Sequence, residues 1–113
     1  MAKLKEFSGL IRYEIGDGKI KDFSGKVLYL LQNDKIKEYS GQIKYVLDGD
    51  KIKDFSGRVL YLFDGKNLKE YSGIIKYIYS DGWIKDYSGM RLYQIDGYVT
   101  KYEVMAIFIL FIL

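Results

Sequence analysis

The sequence predicts an all-β protein built from tandem antiparallel β-hairpins and ended by a short apolar helix. Three observations carry that expectation. Ser–Gly pairs fall at Ser8–Gly9, Ser24–Gly25, Ser40–Gly41, Ser56–Gly57, Ser72–Gly73 and Ser88–Gly89, always sixteen residues apart. A Tyr follows four residues after each Gly, at Tyr13, Tyr29, Tyr45, Tyr61, Tyr77 and Tyr93. A second turn signal lies midway: Asp17–Gly18, Asn33–Asp34, Gly49–Asp50, Gly65–Lys66 and Asp81–Gly82. Self-similarity at a fixed period is the signature of a repeat architecture.

Taken in chain order, the opening KLKEF (Lys3–Phe7) is the tail of a unit whose front is missing. Each full unit then reads as strand, turn, strand, turn. Asp–Gly and Asn–Asp suit a type I′ turn, with positive φ at both residues, and Gly in first place suits type II′. With Ser–Gly as the other two-residue turn, the sixteen residues divide into six, two, six and two. Pairing across Asn33–Asp34 sets Leu31 opposite Ile36 and Tyr29 opposite Glu38. Pairing across Ser24–Gly25 sets Ile20 opposite Tyr29 and Asp22 opposite Val27. All of these share one face, the core face, because side chains alternate along a strand. One inserted residue would turn a strand inside out, which explains the invariant spacing.

A longer rhythm lies over the first. The residue before each Tyr alternates as Arg12, Leu28, Lys44, Leu60, Lys76, Leu92, and the acids alternate as Glu6, Asp22, Glu38, Asp54, Glu70, Asp86. The complete unit is therefore thirty-two residues, and its two hairpins are expected to lie in different surroundings or beneath a partner. Leu28, Leu60 and Leu92 fall on the non-core face.

The pattern stops at Thr100, which stands where an Ile is due. Thr100–Lys101–Tyr102–Glu103 has capping-box spacing, so Lys101–Leu113 is expected to be a helix. A final strand is the rival reading of Ile, Phe and Leu there, and the capping box favours the helix. The division expected is a repeat domain over residues 1–99 and a tail over residues 100–113, packed on the repeats or at an oligomer interface. Ten apolar residues, Val104–Leu113, reach about 15 Å as a helix, half a hydrocarbon core, so no transmembrane span is expected. A helix apolar on every side needs cover on every side. The expectation is a cyclic homo-oligomer held by Val104, Ile107, Phe108 and Phe111, with Leu28, Leu60 and Leu92 as the receiving surface.

Composition narrows the chemistry. The 113 residues include twelve Tyr but no His, Cys or Pro, so disulfides, thiolate zinc sites and Ser–His or Cys–His nucleophiles are excluded. No residue set has a catalytic pattern, and no cofactor or metal is expected. The repeated acids read as carboxylates at strand ends that accept hydrogen bonds from turn amides or from the Tyr hydroxyl opposite. LDGDK (Leu47–Lys51) lacks the further oxygen ligands of a calcium loop and reads as a turn. Net charge is only +3, and an acid accompanies each Lys of the repeat, which disfavours nucleic acid. The N-terminus lacks an apolar signal segment, which points to the cytoplasm. Tyr39, Tyr71 and Tyr87, assigned to the non-core face, are the candidate platform for a glycan or peptide.

Units of the form aromatic–x–Gly–x–apolar–x–Tyr, a short Asp/Asn/Gly turn, then apolar–x–acid–aromatic resemble small bacterial β-hairpin repeat proteins of the four-fold β-flower type. The resemblance covers roughly Leu4 to Tyr93. It implies a hairpin-repeat fold with no assigned function, so no site residues transfer. The function expected is that of a non-enzymatic structural or interaction protein, a self-associating repeat scaffold. The alternative is a glycan- or cell-wall-binding module using the Tyr platforms.

Overall fold

The computed structural model describes residues 2–113. Twelve antiparallel strands close into a barrel, each paired with its neighbours in sequence. They are β1 (Ala2–Glu6), β2 (Ile11–Gly16), β3 (Lys19–Asp22), β4 (Val27–Gln32), β5 (Lys35–Glu38), β6 (Ile43–Asp48), β7 (Lys51–Asp54), β8 (Val59–Phe63), β9 (Asn67–Glu70), β10 (Ile75–Ser80), β11 (Trp83–Asp86) and β12 (Arg91–Asp96). β1 pairs with β12, setting Leu4 opposite Ile95 and Glu6 opposite Tyr93. The orphan KLKEF thus completes the unit that loses its tail at Thr100, and the barrel has no free edge to template aggregation.

The two turn types alternate between the barrel's ends. At one end Asp17–Gly18 and Asp81–Gly82 have positive φ at both positions, as type I′ requires. Asn33–Asp34 departs from expectation, because only Asn33 has positive φ. At the other end the Ser–Gly hairpins are not two-residue turns. The amide of Asp22 donates to the Lys26 carbonyl at 2.9 Å, and the amide of Gly25 donates to the Asp22 carbonyl at 3.0 Å. The aromatic, Ser and Gly together form a three-residue loop whose Gly takes the left-handed conformation, φ 92° at Gly25, and opens a bulge. Ile20 does face Tyr29, but the register then shifts and Val27 faces Lys21, not Asp22. Strands of six and four residues therefore replace the expected six and six in most units.

The register shifts at each of the six Ser–Gly hairpins. A bulge bends its strand and increases local twist. Six of them, all near one end, curl a meander of short strands until its first and last members meet. The product is a disc, with Cα extents of 36 × 36 × 18 Å.

The lumen holds the tail. α1 (Lys101–Ile107) continues into a π-helical turn, Phe108–Ile112, so the helix over Lys101–Leu113 is found, with a widened last turn. The capping box is complete: the Glu103 amide donates to Thr100 Oγ1 at 3.2 Å, and the Thr100 amide donates to Glu103 Oε1 at 2.8 Å. The helix enters at the tight-turn end, where the Gly49 amide donates to the Tyr102 hydroxyl at 2.9 Å and Lys101 pairs with Asp50. Thirteen residues at about 1.5 Å each give roughly 20 Å, enough to cross the disc.

Val104, Met105, Ala106, Ile107 and Phe108 are buried together with Leu4, Ile20, Ile36, Ile52, Leu68 and Ile84 of the wall. Phe108 packs on Phe63 and Tyr77, and Phe111 stacks on Tyr13 with ring centroids 3.7 Å apart. Val104, Ile107 and Phe108, expected at an oligomer interface, are instead buried within this chain. The chain's own barrel wall covers the helix, completely at the first three and half-way at Phe111. Leu28, Leu60 and Leu92 are half-buried wall residues. Among the described residues no helix is long and apolar enough to cross a membrane.

Candidate functional site

The six three-residue loops crown one broad face of the disc. Their leading aromatics are Phe7, Phe23, Tyr39, Phe55, Tyr71 and Tyr87, and all six are exposed. The expected platform residues Tyr39, Tyr71 and Tyr87 are 70–77% exposed. They stand at loop apices, however, and not on the outer sheet face. Strand parity had assigned them a face, but a residue inside a bulged loop belongs to neither. Phe7, Phe23 and Phe55 complete the crown. Sequence reasoning passed over them although they hold the same repeat position.

The carboxylates beneath the crown explain the thirty-two-residue rhythm. Asp22 Oδ1 accepts from the Ser24 hydroxyl at 2.6 Å, the Ser24 amide at 2.9 Å and the Lys26 amide at 3.0 Å. Asp54 with Ser56 and Asp86 with Ser88 repeat the arrangement. The Ser hydroxyl hydrogen bond is the largest influence holding each of these carboxyls below its ordinary pKa, because it favours the ionised acceptor. Glu is one methylene longer and reaches across to the next strand instead. Glu6 pairs with Arg12 at 3.3 Å, Glu38 with Lys44 at 3.6 Å and Glu70 with Lys76 at 3.8 Å. The acid and the residue before Tyr alternate together because a Glu needs the cation. An Asp closes its own loop, leaving Leu28, Leu60 or Leu92 in the cation's place.

Clefts open between neighbouring loops. One, of 720 Å³, is lined by Arg58, Val59, Leu60, Tyr61, Glu70, Tyr71 and Ser72. A second, 580 Å³, is lined by Lys26, Val27, Leu28, Tyr29, Glu38, Tyr39 and Ser40, with Tyr13, Leu110 and Phe111 at its inner end. The first seven residues of each are the same constellation, displaced by thirty-two positions. A second kind of cleft alternates with it. One of 370 Å³ runs past Glu70, Lys76, Asp86 and Tyr87, and one of 440 Å³ past Glu38, Lys44, Asp54 and Phe55.

Tyr39 and Tyr71 thus occupy equivalent clefts, while Tyr87 belongs to the other kind. The third cleft of the first kind would fall at Met90–Tyr93 and Glu6–Ser8, where Met90, Arg91 and Phe7 replace the Lys/Arg, Val and Tyr of the other two. In each of the two larger clefts a flat aromatic face, a carboxylate, a hydroxyl and a cation converge on one opening. Such a set offers an apolar stacking surface beside hydrogen-bonding groups of both kinds. The signal that would have found it is the co-variation of repeat positions two loops apart.

No protein-family model, curated protein or solved structure matches the chain at a significant level. The likeness to β-flower repeat proteins therefore rests on repeat spacing and turn residues alone.

Proposed function

We propose that the protein is a non-enzymatic binding module that grips a glycan chain through the repeated clefts of its crown. The observation that carries this reading is the identity of the Lys26–Ser40 and Arg58–Ser72 clefts, each with its Tyr, Glu and Ser. Equivalent sites on one face suit a polymer whose own unit repeats, because a second contact on the same chain is intramolecular and multiplies affinity. A sugar ring presents a C–H face to stack on Tyr39 or Tyr71, and hydroxyls to meet Glu38 or Glu70 and the Ser hydroxyls.

The lining also argues for binding without turnover. Each of the two clefts carries one carboxylate, whereas glycoside hydrolysis commonly requires a pair. The neighbouring Asp residues are committed to their own loops. The self-associating scaffold has less support, since the helix that was to join the copies is enclosed. Binding of cell-wall oligosaccharides, on an array and then by calorimetry, tests the proposal. The variant Tyr39→Ala/Tyr71→Ala should lose at least about tenfold in affinity with an unchanged melting temperature. Absence of any glycan ligand, or a double variant that binds like the parent, would overturn it.

A further inference from the structure

The crown is not uniform, and its asymmetry is not required by the fold. The residue after each loop Gly gives its carbonyl to the amide of the acid that opens the loop. Leu10, Lys26, Gln42, Arg58, Ile74 and Met90 all do so, at 2.8–2.9 Å. The backbone bond is the same for every side chain, so turn chemistry does not choose among them. Even so, Leu10, Ile74 and Met90 fall on three consecutive loops around the ring, closed by the β1–β12 pairing. They are 56%, 62% and 63% exposed. With Phe7, Tyr71 and Tyr87 they form an arc of six large apolar tips. Lys26, Gln42 and Arg58 mark the opposite, polar arc.

We propose that this apolar arc docks the disc onto a lipid bilayer, its tips entering the interfacial region. Three features favour that occupant. The tips stand on one broad face, so a planar surface can receive them together. Two of the three acids below them are paired with cations, Glu6 with Arg12 and Glu70 with Lys76, so they add no net charge there; Asp86, hydrogen-bonded by Ser88, keeps its charge and limits how deeply its loop can enter. The flank carries interfacial side chains: Trp83, the only Trp, packs on Phe7 at 5.9 Å and beneath the Arg91 guanidinium at 4.8 Å. Separated tips with clefts between them also lack the continuous apolar core of a protein–protein patch. Because the arc carries no cation free of an acidic partner except Arg91, which lies over Trp83, binding should depend on apolar insertion and little on anionic lipid.

The test uses the full chain with multilamellar vesicles of pure phosphatidylcholine, which hold no sugar, so partitioning is read apart from glycan binding even though Tyr71 belongs to both the arc and the Arg58–Ser72 cleft. The protein should cosediment, with a shift in Trp83 emission. Leu10→Gln/Ile74→Gln/Met90→Gln places at each position the residue already found at Gln42, so folding is preserved. It should lower the partition coefficient at least about tenfold, while Lys26→Gln/Arg58→Gln should change it less than about twofold. A parent protein that stays in the supernatant overturns the proposal, as does a triple variant that partitions unchanged. A dimer that dissociates in the triple variant, with no vesicle binding, would assign the arc to a second copy of the chain.

Discussion

Lys5 Nζ donates to Asp96 Oδ2 at 2.9 Å across ninety-one residues of sequence, the same contact that Lys53 makes with Asp48 at 2.9 Å across five. The seam where the barrel closes is thus built like any other hairpin of the ring. Being exposed on the carboxylate side, the ion pair itself adds little. Lys5→Ala should cost no more than about 1 kcal/mol. Leu4, buried on the same strand opposite Ile95, should matter far more: Leu4→Ala should cost about 2–5 kcal/mol in urea unfolding.

Acid should loosen the crown in a defined direction. Asp22, Asp54 and Asp86 have folded pKa values below the ordinary 3.8. A depressed folded pKa contributes stability that is fully present above the unfolded value and is lost as pH falls through the folded one. Stability should therefore hold at neutral pH and decline as pH drops below about 4. Replacing Ser24, Ser56 and Ser88 by Ala should raise the three carboxyl pKa values, read by carboxyl-carbon NMR titration.

Gly57 has φ 94° and open space where a Cβ would stand. Gly57→Ala should still destabilise by about 1–2 kcal/mol, through backbone conformation alone. Equal unfolding midpoints for parent and variant would contradict the left-handed loop.

The enclosed helix should be essential to the fold. Phe108→Ala should cost about 3–5 kcal/mol, because the hole lies between Phe63 and Tyr77 where the wall cannot follow. Thr100→Ala should cost about 1 kcal/mol through loss of the cap. Deleting Glu103–Leu113 should abolish cooperative unfolding, since the lumen would be left lined by aliphatic side chains with nothing to fill it. A truncated chain that melts cooperatively near the parent temperature would show that the wall stands alone.

Much of this was legible in the sequence, for reasons that are local. The hairpin pairings Tyr29–Glu38 and Leu31–Ile36 follow from alternation and turn length, and Thr100–Glu103 is a contact within one turn of helix. Closure was not legible, because it depends on twist summed over twelve strands and on bulges that a two-residue reading of Ser–Gly hides. The apolar circumference of Val104–Phe108 implied enclosure without naming the enclosing surface. The platform aromatics were visible, but the bulged loops decided where Tyr39 and Tyr71 point. The pairing of Glu with cation and of Asp with Ser was present as a rhythm. Side-chain reach across a strand was needed to give it a cause.

The first strand and the last are neighbours, and the plug follows both. Closure needs β12 against β1, and filling needs the helix that follows β12, so both depend on residues 91–113. A chain in which only the hairpins from β1 to β11 have formed stands as an arc with bare ends and an uncovered inner wall. The strand edges that vanish in the closed ring are there open to a second chain. For this architecture, exchange of β1 or of the plug between copies is the failure that incomplete closure invites.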